Sequence, residues 1–204
     1  MVRGWRFFGP AFVNIAAAFA VVSPVFAHEQ GGVASGFESG LLHPLTGIDH
    51  LVAMVAVGIW GAQLGNPAIW LLPVTFPLVM AAGGVLGVLH VPLPVPDVAI
   101  ALSGLVLGTA VAIRARVTFA TAAVVVGVFA IFHGHAHGVE LPGAADPLAY
   151  GAGFVIATGA LHLCGIALGA LSRWPAGAWL IQGLGAAIAA IGSYFLASGL
   201  GLLA

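Results

Sequence analysis

From Ala68 to Leu89 the chain runs for 22 residues without an Asp, Glu, Lys or Arg. Four more uncharged runs follow: Val98–Ile113, Val117–Phe132, Leu148–Leu171 and Ala178–Leu203. A helix needs about 20 apolar residues to cross the hydrocarbon core of a bilayer. With Leu42–Leu64 as a sixth segment, the pattern predicts an all-α, polytopic membrane protein of six transmembrane helices. The composition agrees, since soluble domains are about a quarter charged and this chain is 5 % charged, 61 % apolar and free of Lys. The lipid bilayer therefore replaces water as its main solvent. A formal net charge of −1 argues against a nucleic-acid partner. The lone cysteine, Cys164, excludes an intrachain disulfide framework and a CxxC zinc site.

The first residues read as a targeting signal. Arg3 and Arg6 supply a positive start, Ala11–Val22 a short apolar run, and Ser23-Pro24-Val25-Phe26-Ala27 a small-residue cleavage context. Cleavage after Ala27 makes residues 1–27 a signal peptide and residues 28–204 one six-helix transmembrane domain. The alternative is an uncleaved anchor. A cleaved signal places the mature N-terminus outside, and alternation then puts Arg114, Arg116 and Arg173 in cytoplasmic loops, as the positive-inside rule requires. Glu29, Glu38, Asp97, Glu140 and Asp146 fall outside. Both termini are expected on the periplasmic side.

Ionisable groups inside a membrane are costly and point to function. One cluster is His43-Pro44-Leu45-Thr46-Gly47-Ile48-Asp49-His50, at the outer end of the first span. Pro44 suits a first helical turn. His43 and His50 lie seven apart on one helix face, separated by a rise of about 10 Å, whereas metal–nitrogen bonds are about 2 Å. Either the turn is unwound, or the two are successive stations. Asp49 either ligates from a neighbouring face or orients a histidine on another helix. The second cluster, His133-Gly134-His135-Ala136-His137-Gly138-Val139-Glu140, leaves the fourth span outward. A continuing helix aligns His133, His137 and Glu140 on one face. An extended stretch, broken at Gly134 and Gly138, aligns His133, His135 and His137 instead. The first arrangement offers two imidazoles and a carboxylate and the second three imidazoles, transition-metal ligands in either case.

His162 stands inside the fifth span, about 20 Å from its outer end. It is either a deeper ligand or a histidine bonded to a neighbouring backbone. Cys164 beside it reads as a small core residue. His28, freed at a new N-terminus next to Glu29, would add a chelating end; chance placement explains it as well.

The segment His43-Pro-Leu-Thr-Gly-Ile-Asp49-His50 resembles the HPxxGxDH signature of the HupE/UreJ family, the hydrogenase and urease accessory permeases for nickel and cobalt. Phe132-His133-Gly-His135-Ala-His137-Gly-Val-Glu140 is similar to that family's second motif, and Ala157–Gly165 with His162 to its fifth span. The resemblance covers the whole chain. It implies a permease of the bacterial inner membrane whose transport residues are His43, Asp49, His50, His133 and Glu140. Nickel or cobalt would be the transported ion, with no resident cofactor. The sequence leaves the oligomeric state open.

No GxxxxGK[ST] phosphate loop is present, so no ATPase is built in. The membrane potential can drive a divalent cation inward with about 4.6 kcal/mol per 100 mV, twice the single-charge value. The competing reading is an intramembrane zinc-dependent hydrolase, in which histidines and an acid activate water. Such a site is compact, whereas these ligands are strung from the surface inward.

Overall fold

A computed structural model describes residues 33–141 and 146–203. Among these residues every regular element is helical. In chain order they are α1 (Val33–Thr46), α2 (Ile48–Leu64), α3 (Ala68–Val88), α4 (Pro96–Ala112), α5 (Phe119–Val139), α6 (Pro147–Ala170), a 3₁₀ turn (Leu171–Arg173) and α7 (Pro175–Gly199). The starts of several helices are encoded locally. The Asp146 side chain accepts the Ala149 N–H at 2.8 Å and the Thr118 hydroxyl accepts the Thr121 N–H, which satisfies donors that a first turn leaves free. Pro96, Pro147 and Pro175 open α4, α6 and α7, where a missing N–H costs nothing.

Helix α2 is the centre of the bundle and touches α3, α4, α6 and α7. Val52, Ala53, Met54, Ala56, Val57 and Ile59 are buried all round it, the pattern of a core helix. Around it α3 pairs with α5, α4 with α7, and both α1 and α2 with α6. Large apolar side chains such as Trp70, Leu78, Val124 and Trp179 stand exposed on the outer faces, which suits a lipid environment. Where no solvent drives helices together, close backbone approach through small residues must do so. On α3 and α5 it does: a side chain at Gly134 would strike the Met80 carbonyl, and one at Gly87 would strike that of His135. Gly58 of α2 and Gly165 of α6 meet in the same way.

The expected spans are redrawn in three places. The first, Leu42–Leu64, is not one helix: α1 and α2 meet at an 82° bend at Gly47. Pro44 accordingly lies inside α1, in its closing turn, rather than opening a helix. The fourth span continues through the histidine cluster to Val139, because Gly134 and Gly138 serve close packing and do not break the helix. The third is the 17-residue α4, short for a bilayer crossing. Among the described residues four helices are long and apolar enough to cross, five if the bent pair counts as one span. The expected signal over 1–27 and the expected chelating end at His28 lie outside the described residues.

Candidate metal centre

Gly47 is extended, at φ −90° and ψ 112°, and turns the chain between α1 and α2. On an unbroken helix His43 and His50 would be too far apart to face one target. The bend aims both at His137: the His43 and His137 rings have centroids 4.8 Å apart, and those of His50 and His137 are 4.5 Å apart. His133, one turn before His137 on α5, stacks edge-on against His50 at 5.0 Å. Two imidazoles on one ion, each with a metal–nitrogen bond of about 2 Å, have centroids roughly 4.5–5.5 Å apart. Every neighbouring pair in the series His43, His137, His50, His133 meets that spacing.

The hydrogen bonds decide which nitrogens are free. The Phe129 carbonyl only accepts, so its 2.9 Å contact assigns the proton of His133 to Nδ1. Asp49 Oδ1 lies 2.9 Å from His50 Nδ1 and also accepts the His50 backbone N–H. That carboxylate holds the His50 proton on Nδ1 too. Both Nε2 lone pairs are left buried and without partners, as are both ring nitrogens of His137. Buried polar groups are seldom left unmatched, because desolvation without a bond costs about 1–3 kcal/mol each. Three adjacent imidazoles in this state fit a site built for a cation. Asp49 acts as the orienting carboxylate, on its own neighbour rather than on a histidine of another helix.

At the mouth, Glu140 Oε2 is 3.2 Å from His43 Nε2 and 3.7 Å from His137 Nδ1. One ligand atom from each of these three residues lies within 4.8 Å of the others. The His137 imidazole beside Glu140, just past the end of α5, holds its carboxyl below the usual glutamate value. It is therefore ionised at neutral pH. Side-chain exposure falls from 55 % at Glu140 and 32 % at His43 to 14 % at His50 and 6 % at His137, and His133 is fully buried. Glu140 and His43 are thus the open, acidic end of this group and His133 its enclosed end, with His50 and His137 between them.

The sequence signature described as HupE / UreJ protein matches residues 16–195, a stretch that contains every one of these side chains. The chain belongs to the HupE/UreJ family. It is 44 % identical over 178 residues to Protein HupE of Rhizobium leguminosarum bv. viciae, covering 87 % of this chain and 93 % of that one. No solved structure matches it. Family membership and the long apolar helices together make this a multi-pass membrane protein.

In this HupE/UreJ chain the remaining sequence candidates separate cleanly. His135 points away from the series; its Nε2 lies 2.7 Å from the Val91 carbonyl, to which it donates, tying α5 to the loop between α3 and α4. His162 on α6 is buried; neither ring nitrogen closes a hydrogen bond, and the Pro73 carbonyl of α3 is the backbone group that faces it. Cys164 is exposed on another face of α6. Sequence reading missed the aromatic wall that α6 presents to the mouth. Tyr150 packs 6.0 Å from the His43 ring and Phe154 4.3 Å from that of His137. The Tyr150 hydroxyl is buried without a partner. A signal was available, because Tyr150 is one of only two tyrosines and opens a span directly after the second motif.

Proposed function

We propose that the protein takes up a divalent transition-metal cation, nickel or cobalt, across the bacterial inner membrane to supply the maturation of hydrogenase or urease. The observation that supports this best is the inward series of imidazoles, with unspent nitrogens, behind an ionised glutamate. Glu140, His43 and His137 capture the ion at the periplasmic mouth. His50 and His133 receive it next, each held with Nδ1 protonated and Nε2 open. His137 lies within sharing distance of both groups, so the ion can pass between them without losing all its ligands at once. His162 serves after capture. Nitrogen and oxygen donors without thiolate suit nickel, cobalt or zinc better than copper(I), and the choice of nickel or cobalt follows the family. Glu140, His43 and His137 close to within 4.8 Å of one another, as a hydrolase site would, but the imidazoles continue past them through His50 to His133, which favours a path.

The test compares equilibrium nickel binding by purified protein with uptake of radioactive nickel by cells. His50→Ala should lose both. His162→Ala should keep binding and slow uptake. If both variants lose binding alike, the two histidines share one site and the sequential path is wrong. If cells with and without the protein accumulate nickel and cobalt equally, the transport reading falls.

A further inference from the structure

The series of imidazoles stops at His133, and His162 does not touch it. One side chain packs against both. The Phe76 ring lies 5.5 Å from the His133 ring at 69° and 5.4 Å from the His162 ring at 80°. Phe76 is completely buried. A phenyl ring offers no ligand to a cation and excludes the water that would carry one. It is also mounted unusually. Pro73 and Pro77 flank it within α3, and each proline removes one helical hydrogen bond. Pro77 leaves the Pro73 carbonyl without its helical donor, and that carbonyl is the backbone group turned toward His162, whose ring nitrogens close no hydrogen bond. This turn of α3 is thus the part of the helix least held by its own ladder, a common site of kinks.

We propose that Phe76 is the plug of the path, closing passage between the outer imidazole series and His162, and that the proline-flanked turn of α3 is the element that moves it. Its role in transport rests on the function proposed above; its role as a barrier does not. A plug that parts the two stations lets the outer site load while the inner one stays shut. It also keeps water and protons from running through a chain of histidines.

The test places a thiol at the deep position and measures what guards it. Cys164 is the only native cysteine, so in a Cys164→Ser background His162→Cys carries the sole thiol. Val139→Cys in that background, exposed beside the Glu140 mouth, identifies the membrane face that the reagent meets. A small charged methanethiosulfonate is added to that face of sealed vesicles. With Phe76 in place, the deep thiol should react slowly. With Phe76→Ala the rate should rise about tenfold, the order of barrier set by a buried aromatic side chain. Phe76→Leu, which keeps apolar bulk and so protects the fold, should give a smaller rise. Equal rates in the parent and in whichever variants remain monodisperse would overturn the plug. The readout needs no metal. With uptake measured in the chain that keeps His162 and Phe76, plug-dependent labelling without nickel uptake would sink the transport reading and leave the barrier standing, and uptake with plug-independent labelling would do the reverse.

Discussion

At the scale of single residues, His50, His133 and His135 each donate one ring N–H and keep one buried, unpartnered nitrogen; what sets His50 and His133 apart is that their rings stand against each other, 5.0 Å apart. His135 has used Nε2 on Val91, whereas His50 and His133 have used Nδ1 and keep Nε2. His135→Ala should therefore leave nickel binding near the parent value and cost about 1 kcal/mol of stability, the net worth of one hydrogen bond; a thermal melt beside a binding isotherm checks both. Asp49→Asn keeps an acceptor but removes the charge behind His50. Metal binding should weaken by about 10- to 100-fold, as for other orienting carboxylates, and an unchanged dissociation constant would dismiss Asp49 from that role. Gly47 matters here too, although its backbone angles are open to any residue. A side chain there would sit 3.1 Å from both Asp49 Oδ1 and His50 Nδ1, so Gly47→Ala should disturb this same pair.

At the scale of elements, helices meet through backbone, and the site depends on that closeness. Helix α5 carries His133 and His137, and Gly134 between them admits the α3 main chain at Met80. Gly134→Ala should force the helices apart and cost about 1–3 kcal/mol, the usual range for overpacking. Gly127 lies on the same helix with nothing near its missing side chain. Gly127→Ala should be neutral or slightly stabilising, as alanine is the better helix former by about 1 kcal/mol. Differential melting of the two purified variants in detergent tests the pair. Equal behaviour would mean that α3 and α5 do not meet backbone to backbone at Gly134. The far end of α2 is anchored separately. The Trp60 and Gln63 side chains donate to the carbonyls of Ala115 and Val111, and Arg116 donates to the Gln63 carbonyl.

At the scale of the whole molecule, two measurements bear on direction. Reporter fusions after Arg116 and Arg173 should report cytoplasm, and fusions after Glu140 and at Ala204 the periplasm. A cytoplasmic C-terminus would mean that the bent α1–α2 pair or the short α4 does not cross. Uptake should also weaken on acidification, because an imidazole must be neutral and Glu140 ionised to hold a metal ion. Uptake that climbs on acidification would instead indicate coupling to protons. The sequence by itself determined the solvent, the helical class and the ligand types. Five charge-free runs leave a backbone in lipid few ways to pair its own polar groups, and His43, His50, His133 and His137 are local facts. It also showed that one regular helix could not bring His43 and His50 to one ion. Only the tertiary structure decided how that conflict resolves. The direction of the Gly47 bend depends on α1 and α2 both packing on α6, the free nitrogens depend on Phe129 and Asp49, and Phe76 packs against both His133 and His162 because α3 packs against α5. Contacts between residues so far apart in the chain leave no local periodicity to read, since their partners are chosen by packing rather than by spacing.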